Sequence, residues 1–403
     1  MKRLLFISHR LPYPPDKGER TRAFHEIRAL GRHFEVTVAV AIKGDAETAA
    51  AADLARHCRK VITAPVCRAT RLMRGAAGVV AGRSFTQGFF HSPLLHRRVA
   101  EETGERPFDL VVAYSSGVLP LALSLPAAAR VADLVDADSA KWQAYADSSP
   151  WPLRWFYRRE GGAVARLEQL AAEACQAVAV VSPAEAQAIG LAGPKLVIAR
   201  NGVDAEYFAP RQRPQHCPPS VVFTGTMSYR PNVEAVCWFV RQVWPELRPQ
   251  ASGLTFVIVG RDPALAVQRL AAQPGVLVTG SVDDVRPYLA AATAAVVPLG
   301  IARGVQNKVL EAMAMGRAVV ASPAAMVGLD LLPDQTVLQA ETPQQWCRHI
   351  VDLINKPQWR GEIERAVRAT VEKHFNWGAC LAPLVEACLR LTAGPTANVE
   401  AAS

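Results

Sequence analysis

Short, continuous apolar runs recur along the chain, and stretches of helical period separate them. In the first half the runs are 3-RLLFIS-8, 34-FEVTVAVA-41, 60-KVITAPV-66, 109-DLVVAY-114, 130-RVADLV-135, 177-AVAVVS-182 and 195-KLVIA-199, with helices at 21–33 and 153–174. The second half restarts the rhythm with strands at 220–225, 255–260, 276–280, 294–299 and 318–322. Helices at 232–244, 263–272, 284–291 and 305–315 fall between them, and three more at 343–355, 357–373 and 379–392 close the chain. Strands without polar alternation, separated by helices, predict parallel sheets covered on both faces. The proline-rich stretch 208-FAPRQRPQHCPPS-220 has no period and reads as the divide. Two doubly wound α/β domains in tandem follow. Ligands of such sheets sit at the carboxyl ends of the strands, which suggests a cleft between two facing domains.

Composition narrows the class. The 403 residues are half hydrophobic and one-fifth charged, an ordinary globular balance with enough apolar content for large cores. No apolar run reaches the ~20 residues of a membrane-spanning helix. Lys2 and Arg3 open directly onto a strand, so no secretory leader is read there. Eight scattered cysteines without a C-x-x-C pair suit reduced, packed thiols and a cytoplasmic protein. Residues 1–204 carry 27 Lys+Arg against 20 Asp+Glu, whereas 205–403 carry 18 against 16. A basic first half suits phosphate or an anionic membrane surface, and no nucleic-acid module accompanies it.

Four segments carry candidate chemistry. In 303-RGVQNKVLEAMAMGRAVVAS-322, Lys308 and Glu311 stand one turn apart just inside a helix start. Unpaired amides and a partial positive charge make such a start a seat for phosphate, although a lone K-x-x-E is also an ordinary surface ion pair. The loop 9-HRLPYPPDKGERTR-22 places Gly18 among Lys17, Arg20 and Arg22, which suits backbone approach to an anion or a plain strand–helix connection. In 136-DADS-139, Asp136 stands at a strand's carboxyl end, where it suits a hydroxyl ligand or a base. The D-x-D pattern also suits a divalent cation, and Asp138 with Ser139 suits an N-cap for a helix near Lys141. The segment 151-WPLRWFYRR-159 interleaves Trp151 and Trp155 with Arg154 and Arg158, which fits an anionic membrane interface or a buried aromatic face with solvated arginines.

Taken together, 199-ARNGVDAEYFAP-210, 223-FTGTMSYRPNVEAV-236, 259-VGRDP-263, 276-VLVTGSVDDVRPYLAAATAAVVPL-299 and 304-GVQNKVLEAMAMGRAVVAS-322 resemble, in that order, the retaining glycosyltransferases of family 4. Within that family, 12-PYPPDKGERTRAFHEI-27 and 133-DLVDADSAKW-142 are similar to the sugar transferases encoded beside PEP-CTERM/exosortase and exopolysaccharide loci. The resemblance implies a GT-B fold. An acceptor-side domain would span 1–205 and a nucleotide-sugar domain 206–375. A C-terminal helix at 376–392 would pack back towards the first domain, before a frayed tail at 393–403.

It also implies roles. Glu311 matches the second Glu of the family's E-x7-E motif, which binds ribose hydroxyls. Lys308, with Gly304, Val305, Gln306 and Asn307, would face the diphosphate and donor sugar. Gly225 and Thr226 would line the phosphates with Arg230 as counter-charge, and Gly18 would close over them. Arg303 stands where the first Glu of the motif is expected, and Asp136 stands near the place of a frequent histidine, for which His9 is a substitute. The expected partners are a nucleotide sugar, a glycan or lipid-linked acceptor and an anionic inner-membrane face. No metal and no further cofactor is expected. Rival readings are a nucleotide-sugar epimerase, a silent nucleotide-sugar-binding module, and a metal-dependent transferase built on 136-DADS-139.

Overall fold

The computed structural model describes residues 1–15, 18–104, 106–213, 218–300, 305–329 and 336–393. The chain divides into two compact units, Met1–Arg200 with Leu381–Ser403, and Asn201–Cys380. The divide thus falls before the proline-rich stretch. Val203 already belongs to the second unit, where its N–H donates to Phe375 O at 2.8 Å.

The first unit runs β1 (Lys2–Ser8), α1 (Gly18–Leu30), β2 (Phe34–Ile42), α2 (Gly44–Leu54), β3 (Lys60–Pro65), α3 (Arg68–Val80), α4 (Phe85–Phe90) and α5 (Pro93–Thr103). It continues with β4 (Phe108–Tyr114), α6 (Leu119–Ser124), β5 (Ala127–Val135), α7 (Asp138–Asp147), α8 (Leu153–Ala174), β6 (Ala177–Val180), α9 (Pro183–Ala188) and β7 (Leu196–Ile198). Its seven strands are parallel, in the order β3-β2-β1-β4-β5-β6-β7. Leu4, Leu5, Phe6 and Ile7 are fully buried, because helices cover both faces of the sheet; hence the absence of polar alternation in the strand sequences.

One buried charge cluster links α1 to β5 in this unit. Arg22 sends Nη2 to Asp133 Oδ2 at 2.7 Å, Nε to Glu26 Oε1 at 2.7 Å, and Nη1 to Ala199 O at 2.8 Å. Two carboxylates thus share one cation out of water. Burial and the Asp133 charge push the Glu26 carboxyl well above the ordinary range, with Arg22 opposing them. Arg22, grouped by sequence with an anion-binding loop, is therefore turned inward and committed to Asp133. Cys388 of the last helix packs in the same core, its thiol pushed up to about 12 by burial and the neighbouring carboxylates.

The second unit runs β8 (Ser220–Thr224), α10 (Arg230–Trp238), α11 (Trp244–Leu247), β9 (Thr255–Val259), α12 (Leu265–Gln268), β10 (Val276–Gly280), α13 (Arg286–Ala291) and β11 (Ala294–Val297). It then adds α14 (Asn307–Ala314), β12 (Ala318–Ala321), α15 (Pro323–Met326), β13 (Leu338–Gln339), α16 (Pro343–Asn355), α17 (Pro357–Thr370) and the start of α18 (Trp377–Thr392). The sheet is parallel in the order β10-β9-β8-β11-β12-β13. The helix expected at 232–244 is broken by a π turn at Phe239–Val243, which leads to Pro245 in the first turn of α11. A proline there has no N–H to give the preceding turn. The break after α14 is a Schellman cap: Gly316 takes φ +62°, Arg317 N donates to Ala312 O and Gly316 N to Met313 O, both at 2.9 Å.

Within the first unit, Glu160 of α8 caps α4 from outside. Its carboxylate accepts from Ser84 Oγ and Phe85 N, each at 2.7 Å, and from Thr86 N at 2.8 Å, with its own side chain fully buried. Glu160→Leu strands one buried and two half-buried donors and should lower the stability of this unit by about 3 kcal/mol. Urea unfolding followed by circular dichroism measures it; a loss below about 1 kcal/mol would show that water replaces the carboxylate.

Candidate functional site

The strand order of the second sheet reverses between β8 and β11. The connections after those strands diverge, leaving a crevice at their carboxyl ends where ligands of open α/β sheets bind. Gly225 and Thr226 follow β8 there. Val305 and Gln306 precede α14 on the other side, and Gln306 is its N-cap residue with no side-chain cap on the first turn. Arg303 and Gly304 lie outside the described residues.

Lys308 reaches back across the crevice. Its Nζ donates to Asn232 Oδ1 at 2.6 Å and lies 4.7 Å from the centre of the Phe223 ring. Asn232 in turn donates to Thr226 O at 2.9 Å, so the amide is fixed at both ends. Burial holds the Lys308 ammonium down to about 8, the nearby Glu311 charge opposing this, and burial raises the Glu311 carboxyl to about 7 despite Lys308. Neither residue is the solvated surface pair that K-x-x-E also suits; both are partly buried on α14. The Asn307 Oδ1 is buried without a hydrogen-bond partner among the described residues. A recess that offers an ammonium, helix-start amides and a carboxyl one turn deeper can take a diphosphate at one end and hydroxyls at the other.

Backbone closeness shapes the floor. A Cβ on Gly225 would stand 2.7 Å from Asn232 Nδ2, and one on Gly260 only 1.6 Å from Gly225 O. Glycine is thus required at both positions for the ends of β8 and β9 to meet beneath Asn232. Arg230, expected as a counter-charge, is 77% exposed and pairs with Glu234 at 2.7 Å, two residues from the buried Asn232. Asn232, Phe223 and Gly260 were not singled out from sequence. Asn232 has no charge, and its partner is 76 positions away.

The first unit has its own switch point, between β1 and β4. A cavity of about 170 Å³ opens there, lined by Ser8, His9, Phe90, His91, His96, Gly117 and Ser124 among others. His9 stacks on Tyr114 with ring centres 5.7 Å apart, meets Phe90 edge-on at 5.1 Å, and brings Nε2 within 3.6 Å of Glu19 Oε2. Burial would raise the Glu19 carboxyl, but His9 and Arg10 outweigh it and lower the group to about 2. Gly18, next to Glu19, is the first residue of α1. His91 and His96 are further polar groups at this cavity, and burial lowers the His91 imidazole.

Asp136 follows β5, with its carboxyl raised to about 6 by the surrounding protein and by the carboxylates of Glu185 and Asp138. Asp138 is the first residue of α7, not its cap. The start of that helix is satisfied instead by Glu185 and Glu168, which accept from Ala137 N at 2.6 Å and Ser139 N at 3.0 Å. Among the described residues no three His, Cys, Asp or Glu side chains are grouped to hold a metal. Trp151 and Trp155 are 81% and 60% exposed, with Arg154 and Arg158 also exposed. The inward aromatics of this segment are instead Phe156 and Tyr157, which pack on Trp142.

A family model described as "Glycosyl transferases group 1" matches residues 218–356, the greater part of the second unit. No curated protein sequence matches the chain significantly. Among solved structures, sucrose-phosphate synthase of Thermosynechococcus elongatus is similar over 98% of this chain and 100% of its own, with 16% identity and a TM-score of 0.70. Anabaena HepE, solved in complex with UDP, is similar over 97% and 100%, with 15% identity and a TM-score of 0.67. The lipopolysaccharide outer core galactosyltransferase WaaB is similar over 97% and 99%, with 12% identity and a TM-score of 0.61. The chain has the α/β fold of GT-B glycosyltransferase structures, with two Rossmann-like units. The family match and the fold together support a glycosyltransferase.

Glu311 gives the site a pH signature independent of any ligand. Its carboxyl titrates at about 7 in the folded chain against an ordinary value of 4.5, so the folded state holds the proton longer. Its contribution is full below the ordinary value and is lost as pH rises through about 7. Lys308 stays protonated in both states over that window, because its folded value is about 8. Stability should therefore fall by roughly 1–3 kcal/mol between about pH 5 and pH 7.5, and Glu311→Gln should flatten that slope. Urea unfolding at the two pH values decides it: equal slopes in both proteins would contradict the assignment.

Proposed function

We propose that this chain is a retaining glycosyltransferase. In this reading it moves a hexosyl group from a nucleotide-sugar donor to a glycan or lipid-linked acceptor in exopolysaccharide synthesis. The reading rests on the second-unit crevice, where a half-buried ammonium fixed by Asn232 stands one helical turn from a half-buried carboxyl. The family match covers this crevice, and HepE, of similar fold, is solved with UDP and with UDP-glucose.

In this reading Glu311 accepts from the ribose hydroxyls as a carboxylate. Lys308 and the first-turn amides around Val305, Gln306 and Asn307 hold the diphosphate, with Gly225 and Thr226 letting it approach the backbone. Bond breaking at the anomeric carbon puts negative charge on the leaving diphosphate. Lys308 stabilises that charge more than the ground state, and a diphosphate beside it raises its pKa again, so the ammonium is charged when needed. Arg230 adds a charge from the rim after it leaves Glu234. The acceptor hydroxyl attacks from the face the diphosphate leaves, which retains configuration, and passes its proton to the departing phosphate oxygen. His9 and the cavity beside it suit the acceptor. No divalent metal is assigned a role.

Thermal unfolding with UDP, GDP, ADP, CMP and dTDP, with and without chelator, tests the donor site. Binding to the native state alone adds about 2.7 kcal/mol at a hundredfold excess over Kd. The expected result is a shift with one nucleotide, unchanged by chelator and lost in Lys308→Ala and Glu311→Ala. No shift with any nucleotide, or a shift kept in both variants, would overturn the reading.

A further inference from the structure

Helix α3 is amphipathic with its faces reversed. Ala69, Leu72, Met73, Ala76, Ala77 and Val80 are exposed and recur at helical spacing, so a wholly apolar stripe faces solvent. Met73 is 71% and Val80 90% exposed. The inward face instead carries Arg71, Gly75 and Gly78. This orientation is locked. Arg71 donates to Ala41 O at 2.9 Å and lies 5.6 and 5.7 Å from the Phe89 and Phe90 ring centres. A Cβ on Gly75 would stand 2.5 Å from the Phe85 ring, and one on Gly88 2.4 Å from Arg74 O. The small residues are spent on close approach to α4, so the helix cannot roll its apolar stripe inward.

The end of α3 is tied to a neighbour. Arg159 of α8 donates to Val79 O at 2.6 Å and to Arg83 O at 3.1 Å, joining the end of α3 to the first turns of α8. Those turns hold the exposed Trp151, Leu153 and Trp155 with Arg154 and Arg158. Residues 54–100, which contain α3, carry nine Lys or Arg and no Asp or Glu, and the acids that meet them, such as Glu47 at Arg71 and Glu102 at Lys60, come from outside the stretch. Such a surface repels a second copy of itself and attracts an anionic one. Among the described residues no helix is long and apolar enough to cross a membrane, so the apolar stripe fits the depth of an interface.

We infer that α3 lies in the headgroup region of an anionic membrane. Leu72, Met73 and Val80 enter the acyl boundary, Trp151 and Trp155 anchor beside them, and Arg68, Arg83, Arg154 and Arg158 face lipid phosphates. The inference needs no turnover, and its fate is separate from that of the donor site.

Co-sedimentation of the full chain with vesicles of phosphatidylcholine, alone or mixed with phosphatidylglycerol, tests it. Binding should require the anionic lipid and weaken as salt rises from about 0.05 to about 0.5 M. Met73→Ser with Val80→Ser removes apolar contact at constant charge and should lower partitioning about tenfold or more at unchanged Tm. Trp155→Ala should lower it further in combination. No binding at low salt, or equal binding by the Met73/Val80 variant, would overturn the inference. So would concentration-dependent self-association abolished by the same pair of changes, since a second copy would then cover the face.

Discussion

The second unit's site depends on a constraint of parallel sheets. Right-handed crossovers put the connections on one face while the chain moves one way along the sheet and on the other face once it moves back. Where the strand order reverses, between β8 and β11, the connections therefore diverge and leave the strand ends open. Everything polar at the site follows from that opening. It admits the ammonium of Lys308 and the carboxyl of Glu311 without full solvation, which moves both towards neutrality. It also requires glycine at 225 and 260, because the chain turns over itself there with no room for a side chain. A ligand that supplies phosphate and hydroxyls relieves both costs of dehydration at once.

The two units handle buried charge differently. In the first, Arg22, Glu26 and Asp133 form a closed cluster whose charges are answered internally and which joins α1 to β5. In the second, Lys308 makes its direct contacts with an amide and an aromatic face, both neutral, with Glu311 one turn away as the nearby charge. A closed cluster serves packing; an ammonium held by neutral partners serves an incoming anion.

Much of the architecture was legible because a strand buried on both faces announces itself as an apolar run. The twelve strands read from sequence are all present, and the two-residue β13 is too short to leave such a mark. Helix α8 has the bounds its period predicts, Leu153–Ala174. Helix α3 is not among the elements the pattern names, and its apolar stripe faces solvent, opposite to the usual inference from such a period. At the site, Lys308 and Glu311 were legible as charges beside a helix start. Arg230 drew notice by its charge but pairs locally with Glu234, whereas the uncharged Asn232 does the positioning. Contacts made across a sheet leave no local trace, which is why Phe223 and Gly260 became visible only in the fold.

The central claim is that Lys308 reads phosphate and Glu311 reads ribose in one recess. Titration calorimetry of the best-binding nucleoside diphosphate, its monophosphate and its 2′-deoxy form, on wild type, Lys308→Ala and Glu311→Gln, tests it as two thermodynamic cycles. The account predicts that loss of the terminal phosphate costs about 1–3 kcal/mol in wild type and in Glu311→Gln but little in Lys308→Ala. Loss of the hydroxyl should show the converse pattern. Penalties that add independently in every combination would mean that neither residue touches the group assigned to it.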